Sequence, residues 1–289
     1  MRKWIAIILA LLMLLYIGFS TFLAPREDVQ EWVKNVYTSL SDRAEEYPSE
    51  SFAHGALMFL SDCSKALLKY STFYVEGTRN TVLLSLMALI FGALLGMLMA
   101  LMRISGIRPL RGFATVYIEI IRGTPMMVQL LVIYYGTSLS SIIPDLHIPF
   151  LTDFPRMMTC VIVMSLNSCA YVAEVIRSGI QAVDSGQMEA ARSLGFNHGQ
   201  SMTMVVLPQA IRNILPALGN EFVTVIKESS IVVYVGVADL MFRAKGVASK
   251  TYIVLESYLI AALLYFIMTF CMSTLIDYLE RRMKRGRKQ

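Results

Sequence analysis

The chain has 289 residues, of which 56% are hydrophobic and only 16% charged, and its net charge is +5. That balance is too apolar for an ordinary soluble domain, and the positive excess lies largely in the final residues, which argues against a nucleic-acid-binding surface. The apolar residues fall into blocks of about twenty, the length that crosses a bilayer core as a helix. They are too long and too uniformly apolar for barrel strands, which leaves helices, whose backbone hydrogen bonds close within the segment.

Six blocks follow in chain order. The first, 4–24, carries no charge and is preceded by Arg2 and Lys3. Its length, and the bulk of Phe22 three residues before a cut after Ala24, favour a transmembrane signal anchor over a cleaved signal peptide, giving an anchor over 1–25. Residues 26–77 are a mostly polar segment; their amphipathic part predicts one or two short helices outside the membrane, too short to build a core alone. The second block, 80–102, runs from Asn80 to Met102. The third, 114–136, carries Glu119 and Arg122, and the fourth, 156–177, carries Asn167, Glu174 and Arg177. The fifth, 213–236, is less apolar and holds Glu221, Lys227 and Glu228, whereas the sixth, 254–276, is nearly free of charge. Residues 279–289 form a basic tail.

Lysine and arginine counts orient the spans. Arg2 and Lys3, then Arg103, Arg108 and Arg111, then the tail with Arg281, Arg282, Lys284, Arg285, Arg287 and Lys288 belong on one side, the cytoplasm, and place both termini there. Residues 25–79 then lie outside, with nine acids against six bases. The connection 237–253 fits poorly, because it should also lie outside yet contains Arg243, Lys245 and Lys250. A basic tail behind a span is an anchor beside anionic lipid. Cys160, Cys169 and Cys271 fall in spans, Cys63 stands alone outside, and His54, His147 and His198 are scattered, so no metal pattern is present. No phosphate-cradling glycine loop exists: Gly246–Thr251 lacks the glycine before its lysine. If ATP drives this protein, a partner hydrolyses it.

The polar stretch after Arg177 is long for a membrane connection. Asp184-Ser185-Gly186 reads as a capped turn, and Gln187 to Leu194 favours helix through Ala190 and Ala191. Glu189 near the helix start suits the dipole, and Gly195 can take the left-handed conformation that ends a helix. Pro208, after Leu207, opens another helix. Small alanine side chains facing water allow another surface to approach closely; the plainer alternative is an ordinary surface helix.

The spacing Glu189-Ala190-Ala191, Gly195, Val205, Leu207-Pro208 resembles the EAA motif of bacterial ABC import permeases. Flanking runs extend the likeness over about 78–278: Ala170–Ile180, Gly186–Ala191, Pro208–Arg212, Leu215–Asn220, and Ile118–Pro125 with Gln129 are similar to the polar amino-acid subfamily, the permeases for glutamine, arginine, histidine and cystine. Val205 replaces the usual isoleucine, and Lys227-Glu228-Ser229-Ser230 stands where a Lys-Asp-Thr-Ser pattern is usual. The resemblance implies an all-α integral membrane protein of the bacterial cytoplasmic membrane. Its fold would be a five-helix importer core over 78–278 plus the extra N-terminal transmembrane helix. It implies a coupling loop over 178–208, with Gln187, Glu189, Ala190, Ala191, Gly195, Leu207 and Pro208, gripped by two ABC ATPase subunits. It further implies a second permease subunit, identical or similar, and an extracytoplasmic substrate-binding protein. This chain would bind no cofactor, and ATP and magnesium would be used by the ATPase partner.

Ionisable groups inside spans are functional candidates. Glu119 with Arg122, and Glu174 with Arg177, are three residues apart and share a helix face, so simple pairing is the alternative role. At Gly123-Thr124-Pro125 the helix either kinks or breaks; if it breaks, Thr124 is placed to cap a half-helix whose dipole end suits a carboxylate. An amino acid carries both charges, and the pathway candidates are Glu119, Arg122, Gln129, Asn167, Tyr171, Asn220 and Glu221. An ion-coupled transporter, a channel, or a membrane sensor or scaffold using 26–75 are the rival functions.

Overall fold

The computed structural model describes residues 2–146, 148 and 153–285, so His147 and the tail residues Arg287 and Lys288 lie outside the described residues. Among the described residues the regular structure is entirely helical. The chain divides into two compact units, Met1–Leu83 with Ser230–Cys271, and Leu84–Ser229 with Met272–Gln289.

The first unit begins with α1 (Arg2–Gly18), prolonged by a π-helical turn at Phe19–Leu23. Next come α2 (Glu27–Glu45) and α3 (Phe52–Ser64). Acids Glu27 and Asp28 in the first turn of α2 and Arg43 in its last turn match the helix dipole. Ser51 caps α3, its Oγ accepting the His54 N–H at 3.1 Å. The two helices form an antiparallel hairpin tied by Ser61 Oγ donating to the Tyr37 carbonyl at 2.7 Å and by His54 Nδ1 lying 2.8 Å from the Ala44 carbonyl. The start of α4 (Ser71–Ile104), α12 (Leu240–Thr251) and the first part of α13 (Val254–Arg285) complete this unit.

Helix α4 starts nine residues ahead of the block predicted from Asn80 because its first turns pack on α12 and α13. The Tyr74 hydroxyl donates to the Ser257 carbonyl at 3.3 Å, and Asn80 Nδ2 to the Ala238 carbonyl at 2.8 Å. Asp239 caps α12, one oxygen accepting the Phe242 N–H at 2.8 Å and the other the Tyr265 hydroxyl at 3.1 Å. Two of the three cations that fit the positive-inside pattern poorly are held locally. Arg243 meets Glu76 at 2.8 Å and lies 5.4 Å from the Phe73 ring centre, and Lys250 Nζ lies 4.7 Å from the same ring.

The second unit contains the rest of α4, then α5 (Arg108–Gly123), α6 (Met126–Gly136), the short α7 (Leu139–Ile142) and α8 (Phe154–Gln181). Helices α9 (Ser185–Ser193), α10 (His198–Ser201) and α11 (Leu207–Glu228) follow, and the end of α13 returns to it. Helix α8 packs extensively on α11, and α4 approaches α8 closely at two glycines. A Cβ at Gly92 would sit 2.8 Å from the Ser168 Cβ, and one at Gly96 would sit 2.8 Å from the Val172 Cβ. Glycines four apart on α4 thus let the two backbones close on residues four apart on α8, the small-residue device of helices that pack without a hydrophobic driving force. Ala100, Ile118, Ala170 and Ala173 continue this core.

By length and composition α4, α8 and α13 can each cross a membrane, and α5 with α6 forms a broken pair bent by 105°. The block expected at 114–136 is therefore not one helix. Nor is 213–236: α11 stops at Glu228, and Ser229–Val235 tightens into a 3₁₀ helix, with Ser229 Oγ donating back to the Ile226 carbonyl at 2.8 Å.

Gly96→Val should destabilise the protein by about 1–3 kcal/mol through overpacking, seen as a lowered melting temperature in detergent. Gly106→Val, where an added Cβ would meet nothing within 4 Å, should leave melting unchanged.

Candidate functional site

The polar stretch after α8 folds as a helix–glycine–helix unit. Asp184 Oδ1 accepts the Gly186 N–H at 2.7 Å and starts α9. At the other end the Phe196 N–H reaches the Ala191 carbonyl at 3.2 Å and the Gly195 N–H the Arg192 carbonyl at 3.0 Å. This pair of bonds is the Schellman closure, and it requires the left-handed φ of +91° at Gly195. The space around Gly195 is open, so backbone conformation and not room is what demands glycine there. Asn197 and Gln200 then exchange side-chain-to-backbone bonds of 2.8 and 2.9 Å, a capping box for α10. A π-helical turn at Met202–Val206 leads into α11, with Pro208 in its first turn.

Gln187, Glu189, Ala190, Gly195 and Pro208 are exposed, Leu207 is half-buried, and Ala191 is buried. The alanine pair therefore splits: Ala190 faces outward while Ala191 packs inward. Gln187 Oε1 accepts from Gln209 Nε2 at 3.1 Å, which ties α9 to α11. Sequence reasoning passed over the exposed apolar residues of the segment, Leu194 (80% exposed), Met204 (65%) and Phe196 (38%). Large apolar side chains on either side of Gly195 in a polar connection were the available signal, since such exposure marks contact surfaces.

A polar stripe runs along α8 through Asn167, Ser168, Tyr171, Glu174 and Arg177, positions three or four apart that share one face. Glu174 is its hub. One oxygen takes Arg103 Nη1 at 2.6 Å and lies 3.8 Å from Arg122 Nη1, while Arg177 engages both oxygens. Glu119 turns to Arg103 at 3.4 Å. The Glu174–Arg177 pair forms as expected, but the Glu119–Arg122 pair does not. Arg122 points across to α8, where Glu174 and the Tyr171 ring, 5.7 Å from its guanidinium, receive it. Arg103 of α4 had no place in the expected cluster. Three guanidiniums face two carboxylates, so the cluster carries one positive charge in excess (3 − 2 = 1).

The break at Gly123-Thr124-Pro125 is a true interruption. Thr124 does not cap α6, as a half-helix start had suggested: its hydroxyl donates backward to the Ile120 carbonyl at 3.0 Å, and Pro125 stands at the cap position without a side-chain bond. Thr124 is occupied because α5 ends there with unpaired carbonyls, the nearest acceptors. Gln129 joins the two halves. Its Nε2 reaches the Ile121 carbonyl at 2.8 Å and Thr124 Oγ1 at 2.7 Å, and its Oε1 accepts Asn167 Nδ2 at 3.0 Å. Glu221 accepts from Ser168 at 3.3 Å, which brings α11 to the stripe. Asn220 is exposed, and its backbone carbonyl accepts from Thr224 Oγ1 at 3.2 Å.

A broken membrane helix, a charged stripe inside the helical bundle and an exposed helix–glycine–helix segment are the parts of a membrane component of a transport system. Residues 92–285 match the family of binding-protein-dependent transport system inner membrane components, and the chain belongs to that family. It is thus an integral inner-membrane protein, the permease component of a transporter that works with a binding protein. It is similar to the arginine transport system permease protein ArtQ of Bacillus subtilis (strain 168), with 39% identity over 73% of this chain and 93% of that protein. It is also similar to the putative glutamine transport system permease protein GlnP of Rickettsia conorii, with 42% identity over 73% of this chain and 93% of that protein. Among solved structures, an amino acid ABC transporter with histidines shares 46% identity and superposes with a TM-score of 0.68, covering 75% of this chain and 97% of that one. The MetNI methionine ABC transporter, at 17% identity and a TM-score of 0.59, shares the fold.

Glu174→Leu should destabilise strongly, by about 3 kcal/mol or more, because removing one member of a partly buried ion cluster strands the others. Glu119→Gln, at a side chain 64% exposed, should change stability by under about 1 kcal/mol. Thermal melts of the two variants in one detergent make the comparison.

Proposed function

We propose that this chain is the permease subunit of an ATP-driven importer for a polar amino acid. The observation that carries the substrate class is the excess positive charge around Glu174, set beside amide groups of Gln129 and Asn167 and the carboxylate of Glu221. A zwitterion offers a carboxylate for the guanidiniums and an ammonium for the acids and amide oxygens. The arginine and glutamine permeases among the relatives support the same class.

In this proposal two ABC ATPase subunits dock on residues 178–208, with Leu194 and Met204 as apolar anchors beside Glu189. ATP and magnesium are used there, and this chain has no catalytic role of its own. A second permease subunit, identical or similar, completes the pore, and an extracytoplasmic binding protein delivers the substrate. Both termini face the cytoplasm. Arg243 and Lys250 can stand outside against the positive-inside tendency because Glu76 and the Phe73 ring hold them. ATP binding moves the permease only to the extent that the ATPases bind one of its states better than the other.

Gly195→Val should insert normally, yet lower coupled uptake at least tenfold while ATPase subunits still hydrolyse ATP. A β-branched residue resists the left-handed conformation that aims α10 away from α9. Uptake of a panel of labelled amino acids by wild type and variant in reconstituted vesicles tests both parts: transport of none of them removes the substrate class, and full uptake by the variant removes the docking role.

A further inference from the structure

The second unit contains an apolar groove of about 430 Å³ between α11 and α13 that the transport reading leaves unused. Its walls are Leu215, Pro216 and Gly219 from α11, and Ile276, Leu279 and Met283 from α13, with Arg282 the single charged side chain in the lining. The helices meet at Gly219, where a Cβ would lie 2.6 Å from Ile276 Cγ1. Arg212, Leu215, Pro216 and Gly219 are spaced three or four apart and share a face of α11. Gly219 touches Ile276, and the same groove is lined by residues before 219 and after 276, so the two helices run in opposite directions along it. Seven residues before Gly219 and six after Ile276 therefore reach the same level, and Arg212 and Arg282 stand at the same mouth of the groove.

Both guanidiniums are exposed, and among the described residues neither has a carboxylate partner, whereas the nearby acids Asp277 and Glu280 already hold partners of their own. An apolar slot in a membrane-spanning bundle, with Arg282 in its lining and Arg212 at the same level of α11, is complementary to one amphiphile: an acyl chain ending in an anionic headgroup. We propose that this groove is a binding site for a single anionic phospholipid, its chain lying along Leu215, Gly219, Ile276 and Leu279 and its phosphate held between Arg212 and Arg282. A zwitterionic lipid would fill the slot equally well but would offset the attraction with its own cation. A second copy of this chain would have to bring carboxylates to the same place.

The test is native mass spectrometry of the full chain in detergent, titrated with phosphatidylglycerol and, separately, phosphatidylcholine of matched acyl length. Wild type should retain phosphatidylglycerol roughly thirtyfold better, about what two arginines near a headgroup contribute. In R212Q/R282Q the two lipids should bind alike, whereas R212K/R282K and R281Q, the latter outside the groove lining, should keep most of the preference. Equal retention of both lipids by wild type, which needs no variant to fold, overturns the proposal, and so does an unchanged preference in R212Q/R282Q. Efficient crosslinking between two copies of Leu279→Cys in native membranes would assign the groove to a protein contact and overturn it as well.

Discussion

One carboxylate cannot satisfy three guanidiniums by itself, and much of the second unit is arranged around that imbalance. Glu174 draws Arg103 from α4, Arg122 from α5 and Arg177 from its own helix to two oxygen atoms. In a bilayer an unpaired charge is heavily penalised, so these helices are held together by electrostatics as well as by shape. Glycines at 92 and 96 let α4 come close enough to α8 for Arg103 to reach Glu174. The close-packed seam and the charge hub thus join the same two helices, one by shape and the other by charge.

What was legible in the sequence was mostly local. Asp184 as a cap, Gly195 as a left-handed stop and Pro208 in the first turn of the next helix each rest on the chemistry of a few neighbouring residues, and each holds. The family motifs were legible for the same reason, being short and dense. The failures concern partners distant in sequence. Spacing of three along α5 suggested Glu119 with Arg122, but α4 and α8 offered each of them a better partner, and tertiary contact overrode the local rule. Thr124 was expected to serve the helix ahead of it, yet the open carbonyls behind it were nearer. The break in 114–136 was legible at Gly123-Thr124-Pro125, whereas hydropathy marked 213–236 as a single segment, because averaging over twenty residues hides a break that a pair of serines can make.

Residues 1–91 lie upstream of the family match, which begins at residue 92. Most of them, 1–83, are nevertheless part of a compact unit with residues 230–271, which belong to the matched region. Tyr74, Glu76 and Asn80 bind α12 and its neighbours, while Tyr16 of α1 donates to the Leu67 carbonyl at 3.1 Å. A segment without enough apolar surface for a core of its own gains one by packing on elements the family already supplies.

Gln129 gives the broken helix a property that a proline kink would not have. Its amide nitrogen closes the carbonyl end of α5 and its oxygen holds Asn167, so the angle between α5 and α6 and the rotation of α8 share one side chain. A turn of α8 by a single residue position, about 100°, carries Asn167 off that oxygen and leaves the hinge without its pin. The bend at the break and the rotation of the polar stripe are thus tied to each other through one side chain.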